Sequence, residues 1–131
     1  MSLYFNIISR KNIEHPDQPN LYYPVLKSIG MMDQEQVAER AAMGTTMNPH
    51  EIMMGVQLTT EAQLGMLLNG YSAAIGNLGW LYLTSQGRGK PNPDQLSAFD
   101  ITKVNLHIKP SAETISRLKQ ATFIPLDRIV G

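Results

Sequence analysis

The spacing of apolar and polar residues changes several times along this chain, and each change marks an element. Tyr4-Phe-Asn-Ile-Ile8 reads as a strand, and residues 21–28 read as a second one. Pro24 has no N–H to give to a ladder, so the second strand belongs at a sheet edge. Between them, residues 14–20 hold two prolines together with Asp17 and Asn20, a turn-forming mixture without regular period. Gly30 closes a small N-terminal β-element. The period then becomes helical. Asp33 and Gln36 form a capping-box pattern, Val37, Ala38, Ala41 and Ala42 give a small apolar face, and Gly44 stops the helix. Asn48-Pro49-His50-Glu51 starts a second helix that runs to about residue 69, with Gly70 as its stop. Ile52, Met53, Val56, Thr60, Leu64, Leu67 and Leu68 recur along it at helical spacing. Gly55 and Gly65 lower its propensity and predict close approach by another backbone. The methionines read as core filler.

Residues 72–109 carry the feature that the rest is arranged around. A short strand (72–75) enters the tight turn Ile75-Gly-Asn-Leu-Gly79, and an alternating strand (80–84) leaves it. A polar stretch rich in Gly and Pro follows (85–97), and a third strand (101–108) runs into Lys109-Pro110. Structureless excursions longer than about 12 residues tend to be functional or disordered. This one is read as the arm that the protein uses. A last helix is expected over 112–121, with Ile115 and Leu118 inward and Arg117 and Lys119 outward, followed by an apolar tail (123–131) that packs on its own domain or a partner subunit.

Composition narrows the class. The chain has 131 residues, 43% hydrophobic and 17% charged, which is enough for one globular domain. Cysteine is absent, so disulfides and thiolate metal sites are excluded. No apolar run approaches the roughly 18 residues of a membrane span. The first ten residues lack the pattern of a signal peptide. The expected compartment is the cytoplasm, without membrane contact. Formal net charge is zero, so a nucleic-acid partner would require clustered cations.

The ordered set of motifs resembles the bacterial histone-like HU and integration host factor family. Ile75-Gly-Asn-Leu-Gly79 is similar to the family's Ile-Gly-Phe-Gly, with Leu78 where Phe is usual. Arg88 to Pro93 resembles its Gly-Arg-Asn-Pro arm tip in altered order, and Ile108-Lys109-Pro110 resembles its Phe-Lys-Pro. Tyr22-Tyr-Pro24 with Lys27 and Ser28 resembles the N-terminal extension of HU-like proteins from Bacteroides. The likeness implies an α+β fold of the HU type: two helices, a three-stranded sheet with an extended β-arm, and a C-terminal helix, preceded by the small β-element. The expected divisions are 1–30 for the extension, 31–122 for the HU-like DNA-binding domain and 123–131 for the tail. The likeness also implies a homodimer that grips the minor groove with two arms and bends double-stranded DNA without reading sequence. It implies a nucleoid-associated role, no cofactor and no catalytic residues. The helix faces, Trp80, Tyr82 and the tail are also more than one copy can bury, which independently favours a homodimer.

The DNA-binding residues expected are Arg88, Lys90, Pro91, Pro93, Lys103 and Lys109, the prolines as wedges at the tip. The bland readings are a solvated loop charge for Arg88 and Lys90, and turn chemistry for the prolines. Arg10, Lys11 and Lys27 read as solvent charges, and Arg117 and Lys119 as cations at a helix C-terminus. Where the family carries arginines at the arm base, this chain has Thr84, Ser85 and Gln86, and Asp94 and Asp100 oppose the cations. The predicted grip is therefore weak and steeply salt-dependent. The alternative is an HU-fold protein with reduced DNA affinity that binds another protein. An enzyme is not expected: His15, His50 and His107 lack metal-ligand spacing, and Gly87-Arg-Gly-Lys lacks the Walker spacing and the following Ser or Thr.

Overall fold

An asparagine and a proline set the longest helix. The Asn48 side chain accepts the Glu51 N–H at 2.9 Å and donates to the Glu51 carboxylate at 3.1 Å, while Pro49 occupies the first helical position. In the computed structural model, which describes residues 1–126, this helix is α2 (Pro49–Leu68). It follows α1 (Gln34–Ala42), which begins immediately after Asp33. Before them come β1 (Ser2–Arg10) and β2 (Leu21–Lys27). After them come β3 (Ala73–Ile75), β4 (Gly79–Gly87), β5 (Ile101–Pro110), α3 (Ala112–Leu118) and β6 (Thr122–Pro125). The described residues thus form an α+β arrangement of three helices and two three-stranded sheets, ordered β2-β1-β6 and β3-β4-β5. No helix among them is long and apolar enough to cross a membrane.

The chain divides into two compact units. One holds Met1–Asp33 and the residues from Leu118 on. Here β1 pairs antiparallel with β2, placing Pro24 on the edge strand opposite Ile7. The tail was expected to pack on the domain or a partner. Its first residues become β6, parallel to β1, with the Leu126 N–H donating to the Phe5 carbonyl at 3.0 Å. The rest of the tail (127–131) lies outside the described residues. Phe5, Pro24, Leu26 and Phe123 line an apolar cavity of about 340 Å³ in this unit.

The other unit is Gln34–Arg117. Its core is small: Ala38, Leu67 and Leu81 are the buried hydrophobic residues. The Gln63 side-chain amide donates to the Ala74 carbonyl at 2.9 Å and ties α2 to β3. Ser111, just before α3, and Thr114, in its first turn, donate to the carbonyls of Asn77 and Leu78 at 2.8 Å each, which docks α3 on the glycine turn. Three expectations are corrected. No atom lies within 4 Å of a Cβ placed at Gly55 or Gly65, so no backbone of this chain closes on them. Ile115 and Leu118 are exposed rather than inward. The last helix ends at Leu118, short of residue 121, because the chain turns there to enter β6.

Candidate nucleic-acid interface

Strands β4 and β5 pair antiparallel from Gly79–Pro110 out to Gln86–Lys103 and on to Gly87–Ile101, so the ladder takes in residues 85–87, which read as irregular arm from the sequence alone. Beyond Gln86 the register slips. A Cβ at Gly87 would stand 2.7 Å from the Asp100 carbonyl oxygen, so only glycine lets the strands meet there. The connection that remains is residues 88–100. It is braced by two short 3-10 turns, Pro93–Gln95 and Ala98–Asp100.

Because side chains alternate across a strand, the register sorts the hairpin into two faces. Leu81 and Leu83 share one face with Val104, Leu106 and Ile108. Trp80, Tyr82, Thr84 and Gln86 share the other with Lys109, His107, Asn105 and Lys103. The first face includes the buried Leu81; on the second, Trp80 is 54% exposed. Neither strand contains Asp or Glu.

At the tip, Asp100 organises the loop. Its carboxylate accepts the Ser97 N–H at 3.0 Å, and its carbonyl accepts the Arg88 N–H at 2.9 Å. The Lys90 ammonium lies 3.9 Å from the same carboxylate, a long and partly exposed pair worth under about 1 kcal/mol. Pro93 opens the first 3-10 turn and Pro91 sits in the bend before it; both are exposed.

The hairpin thus carries Lys103 and Lys109 on one face and Arg88 and Lys90 near its end. Arg10, Lys11 and Lys27 belong to the other unit, where the Arg10 guanidinium sits 5.7 Å from the Tyr23 ring centroid. His107 shares a 2.7 Å hydrogen bond with Thr84 and stacks on Tyr82 with ring centroids 5.4 Å apart. Among the described residues, no group of three His, Asp or Glu side chains is placed to hold a metal ion.

Two features escaped sequence reasoning. Phe99 is 90% exposed on the Ala98–Asp100 turn, a large apolar side chain displayed at the tip. Its signal was the Ser97-to-Asp100 capping spacing around an aromatic residue. The ring-bearing face of β4 and β5 is hidden in the sequence because Trp80 and Tyr82 read there as side chains that a second copy would cover. The strand register, once drawn, puts them with the lysines instead.

Comparisons with known proteins agree with this architecture. No curated protein matches the chain. A crystal structure from Bacteroides vulgatus, of a protein provisionally designated a bacterial DNA-binding protein, superposes with a TM-score of 0.64 at 15% identity, covering 94% of this chain and 48% of that one. The chain thus spans about half the length of that relative, and the likeness is one of fold. The family model for HU-HIG, an HU domain fused to wHTH, Ig or a glycine-rich motif, matches residues 1–125. With the motif order, the paired hairpin and this near-complete match in hand, the chain belongs to the HU-HIG family.

Proposed function

We propose that this protein binds double-stranded DNA without sequence specificity, as a homodimer whose β4–β5 arms grip the minor groove and bend the duplex in the nucleoid. The reading rests on how charge is divided. Helices α1 and α2 carry Glu35, Glu39, Glu51 and Glu61 against Arg40, whereas residues 79–110 carry Arg88, Lys90, Lys103 and Lys109 against Asp94 and Asp100. In a chain of zero net charge the hairpin thus keeps a local excess of cations, four against two carboxylates, as phosphate neutralisation requires. Phe99, with Pro91 and Pro93, supplies apolar tips of the kind that wedge between base steps. The HU-HIG match and the designation of the structural relative support DNA as the partner.

The positioning cations are few, so affinity is modest and salt-sensitive. Lys103→Gln is expected to weaken binding alike on unrelated duplexes, and to lower the slope of log affinity against log salt by about one. A slope equal to the unaltered protein's would remove Lys103 from the contact set.

Exposure supports the dimer. Helix α2 is apolar nearly all round, with Met54, Leu58, Leu64 and Leu68 more than half exposed in a single copy, and Val104, Leu106 and Ile108 are similarly open. A helix with this composition is a buried helix in its working assembly. Sedimentation at micromolar concentration is expected to give one species of twice the 14.6 kDa chain mass. A sharp monomer peak would contradict the dimer.

A further inference from the structure

We propose that the Trp80-bearing face of β4 and β5 is a stacking platform for the unpaired bases of single-stranded DNA. The inference rests on reading this hairpin as the nucleic-acid face, and it adds a ligand to that face. Three rings lie on it: Trp80, Tyr82 and His107. Trp80 is 54% exposed and stands on the opposite side of the strand from the buried Leu81. Tyr82 and His107 are stacked on each other within 22° of parallel, and the Thr84 hydrogen bond at 2.7 Å fixes the imidazole, so the pair is held in one arrangement beside the exposed Trp80. Lys109 lies directly across from Trp80, and Lys103 lies across from Gln86. With no carboxylate on either strand, the charge of the face is complementary to a phosphodiester backbone.

The geometry favours single strands over duplexes. In a duplex the base faces are covered by neighbours at about 3.4 Å, leaving only edges and phosphates to a flat sheet. Same-face positions along a strand recur at about 6.6 Å, a step that an unstacked strand can follow and a stacked one cannot. Aromatic stacking tolerates any base, and the two lysines neutralise the backbone between stacked bases.

Trp80 is the only tryptophan in the chain, so stacking is read directly as quenching of intrinsic fluorescence. Titration with an oligothymidylate of about 12 nucleotides is expected to give saturable quenching that fades with salt. Trp80→Ala is expected to weaken binding of the labelled oligonucleotide about tenfold, with a far smaller effect on a labelled duplex. Duplex binding without quenching by the oligonucleotide would overturn the platform and leave the duplex reading standing. Quenching without duplex binding would support the platform and overturn the duplex reading. Should Trp80→Ala fail to fold, His107→Ala takes its place. Unchanged single-strand affinity in the folded variant would overturn the platform.

Discussion

Gly79→Ala is expected to lose about 3 kcal/mol of stability or more, and to lower Tm by on the order of 10 °C. Gly79 has φ +155°, a region that side chains rarely adopt, and it opens β4 opposite Pro110. An added Cβ would collide with the Lys109 carbonyl oxygen and lie 2.9 Å from the Pro110 Cα. Both obstacles are backbone, so no rotamer change relieves them. The same turn receives Ser111 and Thr114 from α3, so strain there reaches the strand pairing and the helix together. Gly89→Ala is the control, because nothing lies within 4 Å of a Cβ at that position. Thermal unfolding of the two variants checks the claim. Equal melting temperatures would mean that the glycine turn is not the rigid base of the arm.

The second large effect is on binding. Arg88→Glu combined with Lys90→Glu is expected to reduce duplex affinity at least about a hundredfold, since charge-assisted contacts contribute about 1.5–3 kcal/mol each. Melting should change little. Both residues are exposed, and Arg88 is anchored to Asp100 through its backbone N–H, which the substitution keeps. The Lys90–Asp100 pair is long and partly exposed, so replacing it disturbs the loop only modestly. An unaltered affinity in a folded double variant would take the arm tip out of the mechanism.

The parts of the fold legible in the sequence are those with local signals. Asn48-Pro49 with Glu51 fixes the start of α2, and the Asn48 hydrogen bonds are the ones that spacing calls for. The glycine turn and the alternation after it give β3 and β4, and Pro24 marks its strand as an edge. The parts not legible depend on distant partners. Strand β6 reads as an apolar tail because its neighbour β1 lies at the other end of the chain, and parallel pairing leaves no turn signal between them. Ser85, Gln86 and Gly87 read as arm because they are polar or flexible, yet the facing residues of β5 carry the ladder through them. Single-residue facts about the site were visible as cations and prolines. Their grouping was not, because only the register reveals that Lys103 and Lys109 share a face with Trp80, Tyr82 and His107. Likewise, the Ser97-to-Asp100 spacing hints at a local turn, but nothing local announces that the Asp100 carbonyl holds the Arg88 N–H across the loop.

The most direct measurement is fluorescence anisotropy of a labelled duplex of about three helical turns titrated with this protein, first at low salt and then as salt is raised. Saturable binding at low salt that fades as salt is added is the predicted result, with a slope of log affinity against log salt set by the number of hairpin cations that meet phosphates. No binding at low salt would contradict the account, and the HU-like scaffold would then have to serve a protein partner.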